Sequence, residues 1–246
     1  MTDPVWADAR RIIEAAMTNA PRSLQVRIGP SELGIECDRC LAHKLAGTPE
    51  KRDAAWLPFI GTAVHAELES IFLRQEYTRA DLGLPTRWLP EHRVTVGTVG
   101  GVEITGSTDL FDSETGTVMD WKVVGATTIK KAKAHGASLV YSRQAQLYAK
   151  GWADDGYQVN TTMILFLPRN SVSLADAYIW SAPYDRSIAE GVLARADGIA
   201  KDIALAGLQN VLDNLDPHTG EGFSCARMPD YTRPIPTSST PFGALR

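Results

Sequence analysis

The most constraining feature is the stretch from Trp88 to Val124, where the apolar pattern has period two and is rich in β-branched residues. It divides into "HRVTVGTV", "GVEITGSTDLF" and "TVMDWKVV", three strands joined by tight turns. The last two frame "GSTDLFDSETGTVMDWKVV", which sets Asp109 and Asp120 inside runs that otherwise read as buried strand. Strand interiors avoid aspartate, so a sheet that hides two of them has a use for their charge.

A four-residue turn, Ser113 to Gly116, pairs Asp112 with Thr117 and sets Asp109 opposite Asp120. Opposed residues share a face at about 5 Å between Cβ atoms. Lys122 lies two residues on and projects from the same face, while Trp121 and Val123 point into core. Opposed like charges destabilise a sheet unless compensated, and a hard divalent cation such as Mg²⁺ or Mn²⁺ compensates two carboxylates. A surface-facing polar row with a cross-strand Asp–Lys pair satisfies the same pattern.

The remaining elements give an α/β class. Helices are expected over residues 4 to 19 (Asp3 as N-cap, Pro4 first), through "ECDRCLAHKLAG" to Gly47, over 53 to 75, and over about Ser138 to Ala153. "RIGPSELG" reads as a turn-rich link. "VNTTMILFL" and "DAYIWSA" read as strands, and one long helix runs from about Asp185 to Leu215. Strands and helices together imply a central mixed sheet flanked by helices. The expected organisation is a single domain over 1–246, its core about 28–215, with 216–246 an irregular tail containing five prolines.

Further residues extend the candidate site. Gln144 and Tyr148 share one helix face, with Tyr141 just behind; His65 sits on a half-apolar helix beside Leu68 and Phe72. A core aromatic and a packed histidine are the plain alternatives. Glu69, one turn on from His65, either fixes the imidazole tautomer or is a solvated carboxylate.

Four motifs stand in order: "GTAVH" (Gly61 to His65), "STDLF" with Asp109, "DWK" (Asp120 to Lys122) and "QAQLY" (Gln144 to Tyr148). In this the chain resembles the PD-(D/E)XK nucleases over roughly residues 28 to 170, and specifically the RecB-type exonucleases with CRISPR-associated and phage members. "SELGIECDRC" is similar to the Ser…Cys-x-Arg segment preceding the nuclease core in that family. Thr108 departs from the family, which expects proline.

The resemblance implies a restriction-endonuclease-like core and a metal-dependent DNA nuclease, an exonuclease acting on single-stranded or free ends. By it, His65, Asp109, Asp120 and the Trp121 carbonyl hold Mg²⁺ or Mn²⁺, and Lys122 positions the attacking water. Gln144 and Tyr148 contact the DNA backbone or brace the lysine. A non-catalytic DNA-binding or recombination accessory of the same fold is the rival reading, and a metal-stabilised structural module a second.

Cys37, Cys40 and Cys225 are the only cysteines. Some members of the family carry an iron–sulfur cluster on one upstream and three downstream cysteines, an arrangement incomplete here. A three-cysteine site completed by His43 or His218 suits zinc or iron; partly buried thiols are the alternative.

The net charge of −4 gives no global basic footprint, so phosphate contacts must be local. Lys130, Lys131, Lys133 and Arg143 offer them, as would Lys150, although a lysine run is also simply well solvated. The N-terminus lacks a signal-peptide pattern and no run reaches the ~18 apolar residues of a membrane span, which gives a cytoplasmic expectation with no membrane partner. P-loop, HExxH, GxSxG and GxGxxG patterns are absent.

Overall fold

A computed structural model describes residues 4–18, 28–50, 56–218 and 225–231. The elements run α1 (Pro4–Thr18), α2 (Pro30–Leu33), α3 (Asp38–Leu45), α4 (Trp56–Asp81), β1 (Trp88–Val99), β2 (Val102–Asp112), β3 (Thr117–Val124), α5 (Ala126–His135), α6 (Leu139–Asp154), β4 (Thr161–Pro168), β5 (Tyr178–Pro183), α7 (Arg186–Ala206) and α8 (Leu208–Asn214). The expected N-cap Asp3 lies outside the described residues.

The five strands form one mixed sheet in sequence order. β1–β2, β2–β3 and β4–β5 are antiparallel, and β3–β4 is parallel with α5 and α6 in the crossover. This is the α/β class with a central mixed sheet flanked by helices that the element pattern implied. β3 has the expected bounds, and Asp112 pairs with Thr117 across the expected turn. Gly116 closes that turn at φ 68°, where a Cβ would lie 2.5 Å from the Gln158 carbonyl oxygen, so glycine is required.

Side-chain alternation separates the faces of β3. Trp121 stacks on Phe72 of α4 at 5.8 Å, whereas Asp120 and Lys122 meet Gln144 of α6. α6 is buried on all sides from Gln144 to Trp152, because the sheet lies beneath it and α2 and α7 pack against it. The main core joins Val94, Val96 and Phe111 of the sheet to Leu147, Trp152 and Val192 of the helices. Phe111 stacks on Trp152 at 4.3 Å; burying each such side chain contributes roughly 1.5–3 kcal/mol.

Thr108, where the family expects proline, is fully buried. Its hydroxyl donates to the His92 carbonyl at 3.2 Å and accepts from Trp152 Nε1 at 3.0 Å, neither of which proline can do.

Three local expectations are corrected. The single helix over 185–215 breaks into α7 and α8 at Gly207 (φ 81°), which caps α7 and turns the chain. The helix expected to stop near 75 continues to Asp81 and ends just before Gly83, its apolar stripe fading while helix-favouring residues persist. α5, carrying the lysine run, was not anticipated, since a one-turn apolar face of Ile129 and Ala132 is a faint periodic signal.

Candidate active site

β2 and β3 pair at Leu110↔Met119 and then separate, one residue short of the Asp109/Asp120 pair. The cause is local. Asp109 Oδ2 accepts a 2.6 Å hydrogen bond from the Trp121 backbone N–H, so a carboxylate takes the place of a ladder carbonyl. The other Asp109 oxygen lies 3.2 Å from His65 Nδ1, which α4 lays across the strand end.

β1 stays in register with β2 across this level. Pro90↔Leu110 and His92↔Thr108 pair, but Glu91 between them turns to φ 46°, the left-handed region that a side-chain-bearing residue seldom adopts. His65, Glu91 and Asp109 thereby bring one ligand atom each within 4.8 Å of the others. Sequence reasoning missed Glu91. Its signal was an acid following Pro90 at a strand start, which alternation treats as an ordinary exposed position.

Asp120 belongs to a second, contiguous group. Its Oδ1 accepts from Gln144 Nε2 at 2.9 Å, and Lys122 Nζ lies 2.6 Å from its Oδ2. That ion pair is not aligned as a hydrogen bond, so Oδ2 is a buried oxygen with charge compensation but no directed donor. Burial, with Asp109 adding, pushes the Asp120 carboxyl up to about 6, against the opposing pull of Lys122 and His65. Lys122 also reaches Gln144 Oε1 at 3.2 Å and sits 4.9 Å from the centre of the Tyr141 ring.

The expected metal residues His65, Asp109 and Asp120 lie in two adjoining groups. His65 and Asp109 group with Glu91, while Asp120 is drawn to Lys122 and Gln144. Tyr148, one turn beyond Gln144, lies in the main core. Lys130, Lys131 and Lys133 are exposed on α5, the first and last lining an open pocket with Pro168 and Asn170. Arg143 is half-buried and donates to the Gly34 carbonyl at 3.2 Å, tying α6 to the segment after α2, and Lys150 is buried against Asp154.

The residues fit a hard divalent cation. Two carboxylates and one imidazole converge beside the point where β2 and β3 stop pairing, and Asp120 is near enough to feel Asp109 and His65. Lys122 is the lysine paired with Asp120 among the described residues, and one Asp120 oxygen has no directed donor. No protein-family profile and no curated protein sequence matches the chain.

Solved structures with a similar fold include an alkaline exonuclease (LHK-Exo) from Laribacter hongkongensis. It is 12% identical over 82% of this chain and 94% of that one, at a TM-score of 0.47. The same enzyme in complex with dAMP is 13% identical over 83% and 94%, at 0.46. A phage-related exonuclease from Haemophilus somnus 129PT is 13% identical over 75% and 97%, at 0.38. At these scores the chemistry rests on the site itself.

A second constellation lies apart, between α3 and the C-terminal segment. Cys37, Cys40, Cys225 and His218 bring their ligand atoms within 4.8 Å of one another, and none of the three cysteines is in a disulfide. Cys225 and Met228 are buried with Ile35, so the described part of the expected irregular tail belongs to the packed body. His43, the other candidate fourth ligand, instead faces Asp230 at 2.9 Å and Thr48 at 3.1 Å. Among the described residues no helix is long and apolar enough to cross a membrane.

Proposed function

We propose that the chain is a metal-dependent DNA nuclease, an exonuclease acting at single-stranded ends. The observation that carries this reading is the meeting of two groups beside the point where β2 and β3 stop pairing. One group is His65, Glu91 and Asp109; the other is Asp120, Lys122 and Gln144.

His65, Glu91, Asp109 and Asp120 would hold Mg²⁺ or Mn²⁺. When bound, the ion supplies Lewis-acid activation of a water and charge neutralisation at the scissile phosphate. Asp109 is held by the Trp121 amide through one oxygen, leaving the other directed toward His65. Gln144 bridges Asp120 and Lys122, donating to the first and accepting from the second, which fixes the ammonium beside the carboxylates. From there Lys122 donates to the attacking water and balances the charge that develops on the phosphate oxygens. Tyr141 covers one side of the lysine and restricts its rotamers.

Exposed Lys130, Lys131 and Lys133, on the helix that directly follows β3, supply local phosphate contacts in a net acidic chain.

The test is release of nucleotides from end-labelled single-stranded DNA by protein dialysed free of Mg²⁺ and Mn²⁺, with each ion restored separately. Release is expected only with the ion, and Lys122→Ala is expected to lower the rate by about 10²-fold or more while DNA binding persists. Binding without cleavage in wild type under every ion, or full cleavage by folded Lys122→Ala, refutes the reading.

A further inference from the structure

We propose that Cys37, Cys40, His218 and Cys225 bind a single Zn²⁺ that clasps the C-terminal segment onto α3, a site separate from the nuclease centre.

The first ground is convergence. His218 Nδ1 lies 3.6 Å from Cys37 Sγ and 3.2 Å from Cys40 Sγ, across 181 and 178 residues of chain. Tetrahedral Zn²⁺, with bonds of about 2.3 Å to sulfur and 2.0 Å to nitrogen, separates its ligand atoms by about 3.5–3.8 Å. All four ligand atoms here lie within 4.8 Å, so small rotamer adjustments reach that geometry. In an iron–sulfur cube each ligand binds a different iron, which spreads the ligand atoms further apart than this. The spacing therefore fits one ion, and the imidazole further separates it from the all-cysteine arrangement of the resembled family.

The second ground is the way His218 is turned. Its Nε2 faces Asp230 Oδ1 at 2.9 Å. Asp230 also accepts from Arg39 Nε at 2.6 Å and from His43 Nε2 at 2.9 Å, so it is an ionised, acceptor-only group. The proton of the neutral imidazole is then on Nε2, and the Nδ1 lone pair points at the sulfurs. A carboxylate that fixes a histidine tautomer and leaves the opposite nitrogen to a metal is the usual support of such a ligand. Arg39 further ties α3 to the end of α8 through the Leu212 and Leu215 carbonyls, at 2.7 and 3.3 Å.

The third ground is closure. The three cysteines are 0 to 5% exposed and packed with Ile35 and Met228. Four protein ligands with no open position define a structural site rather than a catalytic one.

The experiment is elemental analysis of the full chain purified without chelator or added metal, with about one zinc per chain expected. Replacement by Co²⁺ should give the visible bands of a tetrahedral site and near-ultraviolet thiolate-to-cobalt charge transfer. Cys225→Ser should lose zinc and thermal stability together. Because that variant can fail to fold, Asp230→Asn, which keeps all four ligands, is the second arm. Its zinc affinity in chelator competition should fall by about 10- to 100-fold. Folded wild type without zinc, iron with acid-labile sulfide, or wild-type zinc affinity in Cys225→Ser overturns the proposal.

Discussion

Replacing Asp120 by asparagine separates two roles for a buried carboxylate, because its effect should change sign with metal and vanish with acid. Asp120 is 4% exposed, and its folded carboxyl is raised from 3.8 to about 6, chiefly by burial. A raised acid favours the protonated folded state, so this group's contribution is most favourable below about pH 4 and is lost as pH rises through 6. Two pH units correspond to about 3 kcal/mol. Asparagine is neutral throughout and keeps an acceptor for Gln144 Nε2, but turns an amide donor toward Lys122, which costs about 1 kcal/mol. The variant should thus be more stable than wild type by about 2 kcal/mol at pH 8 in buffer free of Mg²⁺ and Mn²⁺, with the advantage gone near pH 4. Chelator is left out, so that an ion at the cysteine site is not stripped. With Mn²⁺ at a hundred times its dissociation constant, wild type should gain about 2.7 kcal/mol and the variant much less, reversing the order. The assay is urea unfolding of both proteins at each pH, with and without Mn²⁺. If Asp120→Asn is destabilised by more than about 1 kcal/mol at pH 8 without metal and responds to Mn²⁺ as wild type does, Asp120 is a structural acceptor and the site has been misplaced.

Asp112 accepts from Arg87 Nε and Nη2 at 3.0 and 2.9 Å, from Thr115 Oγ1 and from the Glu114 amide. Burial would raise its carboxyl, but these donors hold it below the usual range, so its contribution is present above about pH 4 and lost in more acid solution. Asp112→Asn should cost about 2–3 kcal/mol in urea unfolding at pH 7, with cleavage per folded molecule unchanged. Thr108→Val should cost about 1–3 kcal/mol by orphaning Trp152 Nε1, whereas Thr108→Ser should cost less; equal losses would remove the hydroxyl from the account. Replacing Lys130, Lys131 and Lys133 together by Gln should lower the slope of log K against log salt by up to about 2 on single-stranded DNA. An unchanged slope in a filter-binding titration would place the phosphates elsewhere.

What the sequence reveals follows the range of the forces involved. Alternation and turn chemistry are local, and they deliver β3 to the residue and the Asp112↔Thr117 register, which carries Asp109, Asp120 and Lys122 to one end of the sheet. Extending that register one step further fails, since a regular ladder cannot show that Asp109 spends an oxygen on the Trp121 amide and holds the strands apart. Glu91 escapes too: its left-handed backbone interrupts a strand whose register runs on unshifted, and no local preference announces it. Gln144 is legible because i, i+4 spacing fixes its face, yet the same spacing leaves Tyr148 one turn deeper in the core, where the sheet and α6 close together.

The cysteine site is the extreme case. Cys37 and Cys40 are readable as a pair because three residues of one helix turn join them, but the choice between His43 and His218 depends on Asp230, which is far from both cysteines in sequence. His43 is nearer along the chain and is the natural guess, yet Thr48 occupies its Nδ1 and Asp230 its Nε2, leaving no nitrogen for a metal. His218 shares the same carboxylate through Nε2 and keeps Nδ1 for the sulfurs. The ligand is thus selected by which nitrogen the carboxylate leaves unused, a property of the folded contact that neither spacing nor composition encodes. It follows that Thr48→Val, which removes the partner of His43 Nδ1, should leave zinc content unchanged, while His218→Ala should abolish it even though His43 remains close by. Zinc retained in His218→Ala at one equivalent would show that His43 can turn to replace it, and the selection by Asp230 would be refuted.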